Sequence, residues 1–232
     1  MSKAQQLEEL YEEMGQCSRC PGLLEHRRAP IRGRGNPDAA RIVIVGEAPG
    51  ADENEEGEAF VGRAGRLLDE LLAKLSSDKR QAFRAAPEDF YMTNAISCWP
   101  AQLNRLYDPP KLENRTPTAE EVATCHPWIE RIIRIIDPVA LVLAGEVPSA
   151  SFGLRGTITS LQGRMTDVHL QGVKRTITYC AMPVFHPSYL LRTRATPRLR
   201  EITESNLQAL VDRAWAYYRV SRGLNPIPVE GG

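Results

Sequence analysis

Three polar side chains in this sequence follow short apolar runs, and each is of a type that can hold or polarise a small planar ligand. Glu47 lies in Gly46-Glu47-Ala48-Pro49-Gly50, Asn94 closes Phe90-Tyr91-Met92-Thr93-Asn94, and His186 opens His186-Pro187-Ser188-Tyr189-Leu190-Leu191-Arg192. A carboxylate can orient water, and an imidazole can donate a hydrogen bond where negative charge develops. An amide donates and accepts at once, which suits the edge of a ring carrying both kinds of group. Phe60, between two glycine-containing turns, is expected to be exposed and to offer an aromatic platform for a planar base. Singly, each has a plainer reading: an Asn at a strand end is more often a cap, and a lone His is more often structural. Neither GxGxxG nor GxxxxGK[ST] occurs, so no phosphate cradle is signalled.

Cysteines supply a second chemistry. Cys17 and Cys20 form a CxxC pair, which brings two thiolates within reach of one metal, and Cys98 and Cys125 can complete a four-thiolate set. Zinc and a [4Fe-4S] cluster both accept those ligands. Cys180, inside Ile177-Thr178-Tyr179-Cys180-Ala181-Met182, is expected to be a core thiol.

Regular elements must place these groups. Gln5–Met14 carries Leu7, Leu10, Tyr11 and Met14 at helical spacing, ending at Gly15 before the thiol pair. Arg41–Val45, Phe90–Ile96 and Val139–Ala144 are short apolar runs of the kind buried on both faces of a parallel sheet. Gly62–Leu75 bears a leucine stripe, and Thr118-Ala119-Glu120-Glu121 is a capping box opening a helix to about Ile136. Ile158–Val184 is expected to be a hairpin around Gln171-Gly172, followed by a closing helix over Thr196–Arg219. The acidic stretch Asp52–Glu58 is expected to be a solvated loop, and Pro100–Pro117 a polar loop of unusual length. Strands alternating with helices imply an α/β fold, and in a parallel sheet ligands gather at the carboxyl ends of the strands.

Length fits one domain over residues 1–222, with 223–232 as a flexible tail. Five cysteines without a signal-like leader suggest a reducing, cytoplasmic location, where metal binding explains thiols better than disulfides do. No apolar run is long enough to cross a bilayer. Lys+Arg and Asp+Glu both total 29, so the net charge is zero, but a local basic surface can still neutralise phosphate. Composition therefore neither supports nor excludes nucleic acid.

In combination and in order, Gly46–Gly50, Phe60-Val61-Gly62-Arg63-Ala64-Gly65, Thr93-Asn94 with Cys98, Asn114-Arg115-Thr116-Pro117 with Cys125, and His186–Arg192 resemble the family 4 uracil-DNA glycosylases. The resemblance spans nearly the whole chain. It implies a three-layer αβα sandwich around a mainly parallel sheet and hydrolysis of the N-glycosidic bond of deoxyuridine in single- or double-stranded DNA. A [4Fe-4S] cluster on Cys17, Cys20, Cys98 and Cys125 is implied too, as is a monomer, nucleoid-associated at work. By the same resemblance Phe60 stacks on uracil, Asn94 meets its N3/O4 edge, His186 faces O2, and Glu47 lies near the sugar and water. Gly46 and Ala48 count among the substrate-binding residues, and Glu53 lies near C5, where it excludes the methyl of thymine. Ser188, Tyr189, Leu190, Leu191 and Arg192 fall on the DNA-binding segment, leucines entering the minor groove and Arg192 meeting phosphate.

Two departures concern the pocket: Asn54 replaces an acidic residue, and Ala59 replaces a proline before Phe60. The Trp99–Glu113 segment is also longer than usual for the family. Two other readings remain. A sister group bonds covalently to the abasic sugar through a histidine, but that histidine falls on Asn114 here. A non-enzymatic iron-sulfur or zinc nucleic-acid-binding module would retain the thiols but need not retain Glu47, Asn94 and His186 together.

Overall fold

The computed structural model describes residues 1–77, 87–171, 176–192 and 197–221. The strands are β1 (Arg34–Gly35), β2 (Ile42–Gly46), β3 (Phe90–Asn94), β4 (Ala101–Asn104), β5 (Lys111–Asn114), β6 (Ala140–Ala144), β7 (Thr166–Gln171) and β8 (Thr176–Val184). The helices are α1 (Lys3–Gly15), α2 (Pro21–Leu24), α3 (Ala51–Glu56), α4 (Arg63–Ser77), α5 (Ala119–Ile136), α6 (Glu146–Ser151), α7 (Ile158–Leu161), α8 (Pro187–Arg192) and α9 (Pro197–Ser221). None is long and apolar enough to cross a membrane among the described residues.

Six strands form one sheet in the order β1-β3-β2-β6-β8-β7. The central four run parallel, and β1 and β7 add antiparallel edges. Every residue of β2, β3 and β6 is buried, the pattern of a sheet covered on both faces. Alternation then divides the core. Ile42 and Ile44 pack with Leu67 and Leu71 of α4, Leu190 of α8 and Leu207 and Leu210 of α9. Val43 and Val45 pack with Leu7 and Leu10 of α1 and Ile129 and Ile133 of α5. The result is the expected three-layer αβα sandwich.

The chain leaves β2 for β3 on one side and later returns to β6 on the other, so strand order reverses between β2 and β6. A crevice must open at the carboxyl ends there. Register brings Gly46 opposite Asn94 and Ala144 opposite Val184 at that edge.

Several local expectations change. Asp52–Glu58 is largely helical: α3 begins after Gly50, where Glu53 accepts a hydrogen bond from the Gly50 N–H, and it ends at Gly57 in the left-handed region. Pro100–Pro117 holds the β4–β5 hairpin, because its prolines all lie at or beyond the strand ends and leave the ladder donors intact. The 158–184 segment begins with α7, and its hairpin starts only at Thr166. Gly172, Thr196 and the tail from Gly223 lie outside the described residues.

Phe60 is buried rather than exposed, at 4% accessibility, and its φ of 58° is unusual for a residue with a side chain. The turn survives because Gly65 lies beneath it: a Cβ there would sit 1.7 Å from the Phe60 carbonyl oxygen. Gly65→Ala is therefore expected to lower unfolding free energy by about 3 kcal/mol or more, read from the denaturant midpoint, since the clash is with backbone. An unchanged midpoint would show that the Phe60 turn is not held from below.

Candidate functional site

The turns at the carboxyl ends of β2, β3 and β8 enclose a cavity of about 260 Å³ lined by Glu47, Ala48, Glu53, Phe60, Asn94, His186, Ser188 and Arg192. Glu47 and His186, far apart in sequence, meet because β2 and β8 flank β6. Gly46 makes the convergence possible, since a Cβ there would lie 2.4 Å from Asn94 Oδ1 and 2.6 Å from Phe60 Cζ.

Loops around the cavity are tied by side chains rather than left to the backbone. Both Glu53 oxygens are engaged, Oε2 by the Gly50 N–H and Oε1 by the Gly62 N–H, each at 2.9 Å, so one carboxylate clasps the two glycine turns. Asn54 accepts from the Arg28 N–H at 3.1 Å and donates to the His26 carbonyl at 3.2 Å. A carboxylate could not make the second bond, which accounts for an amide at this position. Ala59 donates its N–H to the Arg32 carbonyl at 2.8 Å, a bond that proline could not make.

His186 has a defined tautomer. The Ser188 N–H donates to Nδ1 at 3.1 Å, and the Ser188 hydroxyl lies 2.8 Å from the same nitrogen. Nδ1 is therefore an acceptor, leaving the proton on Nε2. Burial first, and the charge of Arg192 second, push the imidazole down to about 4, so it is a neutral donor at ordinary pH. Glu47 shifts the other way: burial raises it above the usual carboxylate range, opposed by a hydrogen bond from the Thr116 hydroxyl and by Arg192.

Asn114, Arg115 and Thr116 also line the cavity, and composition alone gave them no role. The sequence signal was the adjacent capping box. Glu121 accepts from the Thr118 N–H at 2.8 Å and grips the Arg115 guanidinium with both oxygens, at 2.8 and 2.6 Å. That pins residues 115–118 and holds Thr116 against Glu47. Asn114 Oδ1 accepts from the Trp99 indole at 2.7 Å.

The His186–Arg192 segment divides by exposure. Tyr189 and Arg192 face solvent, and Leu191 is partly buried against the core. Leu190 is only 1% exposed and packs in the core with α4, so it is not free to enter a groove.

Cys17, Cys20, Cys98 and Cys125 line a second cavity, walled by Met14, Leu23 and Trp128 and separate from Cys180. Burial raises the Cys20 and Cys98 thiols and pushes Cys125 up to about 12. Arg27 donates to Cys98 Sγ at 3.4 Å and to the Cys17 carbonyl at 2.8 Å. The buried Trp128 indole N–H has no hydrogen-bond partner among the described residues. Among the described residues, no three Cys, His, Asp or Glu side chains are gathered closely enough to hold one metal ion. Cys180 is half-buried at the opposite end of the sheet rather than fully enclosed.

The shifts define a pH profile for whatever chemistry Glu47 and His186 perform. Glu47 must be ionised to assist a developing cation, so the rate is expected to fall as pH drops through its raised pKa, with no step near the ordinary imidazole value of about 6.5. A single-turnover limb near pH 6.5 that His186→Gln removes would overturn this assignment.

Residues 32–216 match the family described as the Uracil DNA glycosylase superfamily. The chain is 38% identical over 200 residues to the Type-4 uracil-DNA glycosylase of Thermotoga maritima, covering 85% of this chain and 90% of that protein. It is 32% identical over 209 residues to the Type-4 uracil-DNA glycosylase of Archaeoglobus fulgidus, covering 88% and 91%. A Type-5 uracil-DNA glycosylase of Pyrobaculum aerophilum is similar too, 31% identical over 198 residues, covering 75% and 79%.

Proposed function

The chain belongs to the uracil DNA glycosylase superfamily, in its type-4 branch, and on that footing we propose that it hydrolyses the N-glycosidic bond of deoxyuridine in DNA, releasing uracil and leaving an abasic site. The observation that carries the residue roles is the meeting of a neutral, Nε2-protonated His186 with Glu47, Asn94 and Phe60 in one cavity.

Bond cleavage leaves negative charge on the departing base and oxocarbenium character on the sugar. His186 Nε2–H donates toward uracil O2 as the charge grows, and being already neutral it needs no proton from solvent. Glu47 stabilises the sugar cation and orients the attacking water, its carboxylate held by Thr116. Asn94 reads the N3/O4 edge, and Phe60 stacks on the ring, offsetting part of the cost of unstacking the base. Glu53, fixed by two backbone amides, forms a rigid wall toward C5. Gly46 and Ala48 let the substrate approach the turn, while Ser188 sets the His186 tautomer. Tyr189, Leu191 and Arg192 contact the DNA strand around the extruded nucleotide. Asn114 places an amide where a covalent relative has histidine, so turnover proceeds by hydrolysis. The protein acts as a monomer on single- or double-stranded DNA in the cytoplasm, its residues 1–222 forming one domain.

The thiol cavity fits a [4Fe-4S] cluster. One zinc ion needs its sulfurs about 3.8 Å apart, as tetrahedral bonds of about 2.3 Å require, whereas a cluster takes one thiolate at each iron and tolerates a wider ring. The unpartnered Trp128 N–H and the Arg27 cation suit its negative charge. When bound, the cluster supplies a cross-link rather than a catalytic step, because hydrolysis transfers no electrons.

At saturating uracil-containing DNA, His186→Ala is expected to cut the single-turnover rate by about 10²-fold or more, as loss of an oxyanion donor does. Glu47→Gln is expected to slow the same step with affinity nearly unchanged. Asn94→Asp is expected to lose about a hundredfold, equivalent to roughly 3 kcal/mol. Wild-type rates in both His186→Ala and Glu47→Gln would refute the assigned roles. Purified protein is expected to be brown, with absorbance near ~400 nm and bound iron. Cys180→Ser should keep the colour, and loss at any of the other four cysteines should reduce it. Stoichiometric zinc without iron would refute the cluster.

A further inference from the structure

The β4–β5 hairpin departs from the mouth of the cavity, and apart from Asn114 it has no part in the chemistry above. Asn114, the last residue of β5, lines the cavity, and it pairs in register with Ala101. From Asn114 back to Lys111 the strand rises about 10 Å, at about 3.4 Å per residue, a span of roughly three nucleotides of a DNA strand. The hairpin follows β3, whereas α8 follows β8, and the cavity lies between those strand ends. A strand that delivers its uracil into the cavity must therefore run past the hairpin on one side and α8 on the other.

The hairpin's surface is unusual. Of the six large apolar side chains exposed among the described residues, Leu103 (49%), Leu106 (94%) and Tyr107 (45%) are on it, and Tyr189 is on α8 across the cavity. These side chains stand on an ordered frame. Lys111 Nζ lies 3.5 Å from the Tyr107 ring centroid, and Glu113 accepts from the Tyr107 hydroxyl. Asn104 donates to Glu113 at 2.8 Å and accepts from the Leu106 N–H at 2.9 Å. An aromatic ring already fixed by a cation on its face and a carboxylate at its hydroxyl loses little further freedom on binding. Arg105 and Lys111 place cations beside it, Lys111 paired with Glu113 at 3.7 Å and Asp108 balancing the other charge. Exposed apolar and aromatic groups interleaved with cations suit the stacked bases and phosphates of a nucleic-acid strand.

We propose that the β4–β5 hairpin is a second DNA-gripping element, with Tyr107 and Leu106 stacking on a nucleotide that flanks the extruded uracil. The proposal rests on the glycosylase reading.

The test uses the full-length protein with its cluster, and oligonucleotides carrying a non-cleavable 2′-fluorinated deoxyuridine and 2-aminopurine on one flank or the other. For the double variant Leu106→Ala/Tyr107→Ala, affinity is expected to weaken about tenfold or more, the scale of losing base stacking. The fluorescence change of 2-aminopurine should be lost on one flank only. Tyr107→Phe should retain both signals, and single-turnover excision at saturating DNA should stay within about twofold of wild type, as expected for a group outside the chemistry. Unchanged affinity together with unchanged fluorescence on both flanks would overturn the proposal and leave the hairpin to a protein partner. Wild-type excision of ordinary deoxyuridine, measured alongside, reports on the glycosylase reading separately.

Discussion

The site depends on an absence of atoms at Gly46. Two of the groups assigned to uracil, the Asn94 amide and the Phe60 ring, approach the place where any other residue would carry its Cβ. Parallel pairing fixes Asn94 opposite Gly46, so the amide cannot retreat without breaking β3 from β2. Phe60 is similarly confined, its left-handed turn resting on Gly65 and its loop closed by the Glu53 clasp. The cavity is thus made by seating two side chains closer to one backbone than a Cβ there would permit.

Electrostatics then divide the labour between two ionisable groups in one cavity. Burial acts on both, but it favours the neutral form of each, pushing His186 down and Glu47 up. For His186 this direction suits the donor role proposed for it. For Glu47 it is adverse, and Thr116 and Arg192 oppose it. Arg192 thereby acts on both residues from one position, favouring the neutral imidazole and the ionised form of the carboxylate. The same arginine reaches solvent at the end of α8, where phosphate can approach.

Away from the cavity, the thiols join parts of the chain that the sheet does not. Cys17 and Cys20 follow α1, Cys98 follows β3, and Cys125 lies in α5. A cluster bridging them would fasten the N-terminal helix to the strand that delivers Asn94 and to the helix whose capping box positions Thr116. Stability of the site and occupancy of the thiols would in that sense be one problem, although the thiol cavity stands apart from the one lined by Glu47 and His186.

Periodicity and spacing alone determined much here. The apolar runs of β2, β3 and β6, the leucine stripe of α4 and the Thr118 capping box follow from local preferences that tertiary context does not override. Ordered motifs sufficed to point to Glu47, Asn94 and His186. What the sequence left undetermined depends on contacts between distant segments. Phe60 looked exposed because its turn is glycine-flanked, yet it is buried by α4, which only folding brings beneath it. Leu190 shares a motif with exposed Tyr189, but the pitch of α8 turns it into the core. Pro100–Pro117 looked like a loop because it is polar and carries several prolines, while cross-strand pairing uses the stretches between those prolines. Thr116 gained its role only when Arg115 and Glu121 fixed its approach to Glu47. Local order is written in neighbouring residues; the tautomer of His186, the protonation of Glu47 and the reach of each side chain depend on burial and on partners supplied by distant elements, which only the assembled tertiary structure brings together.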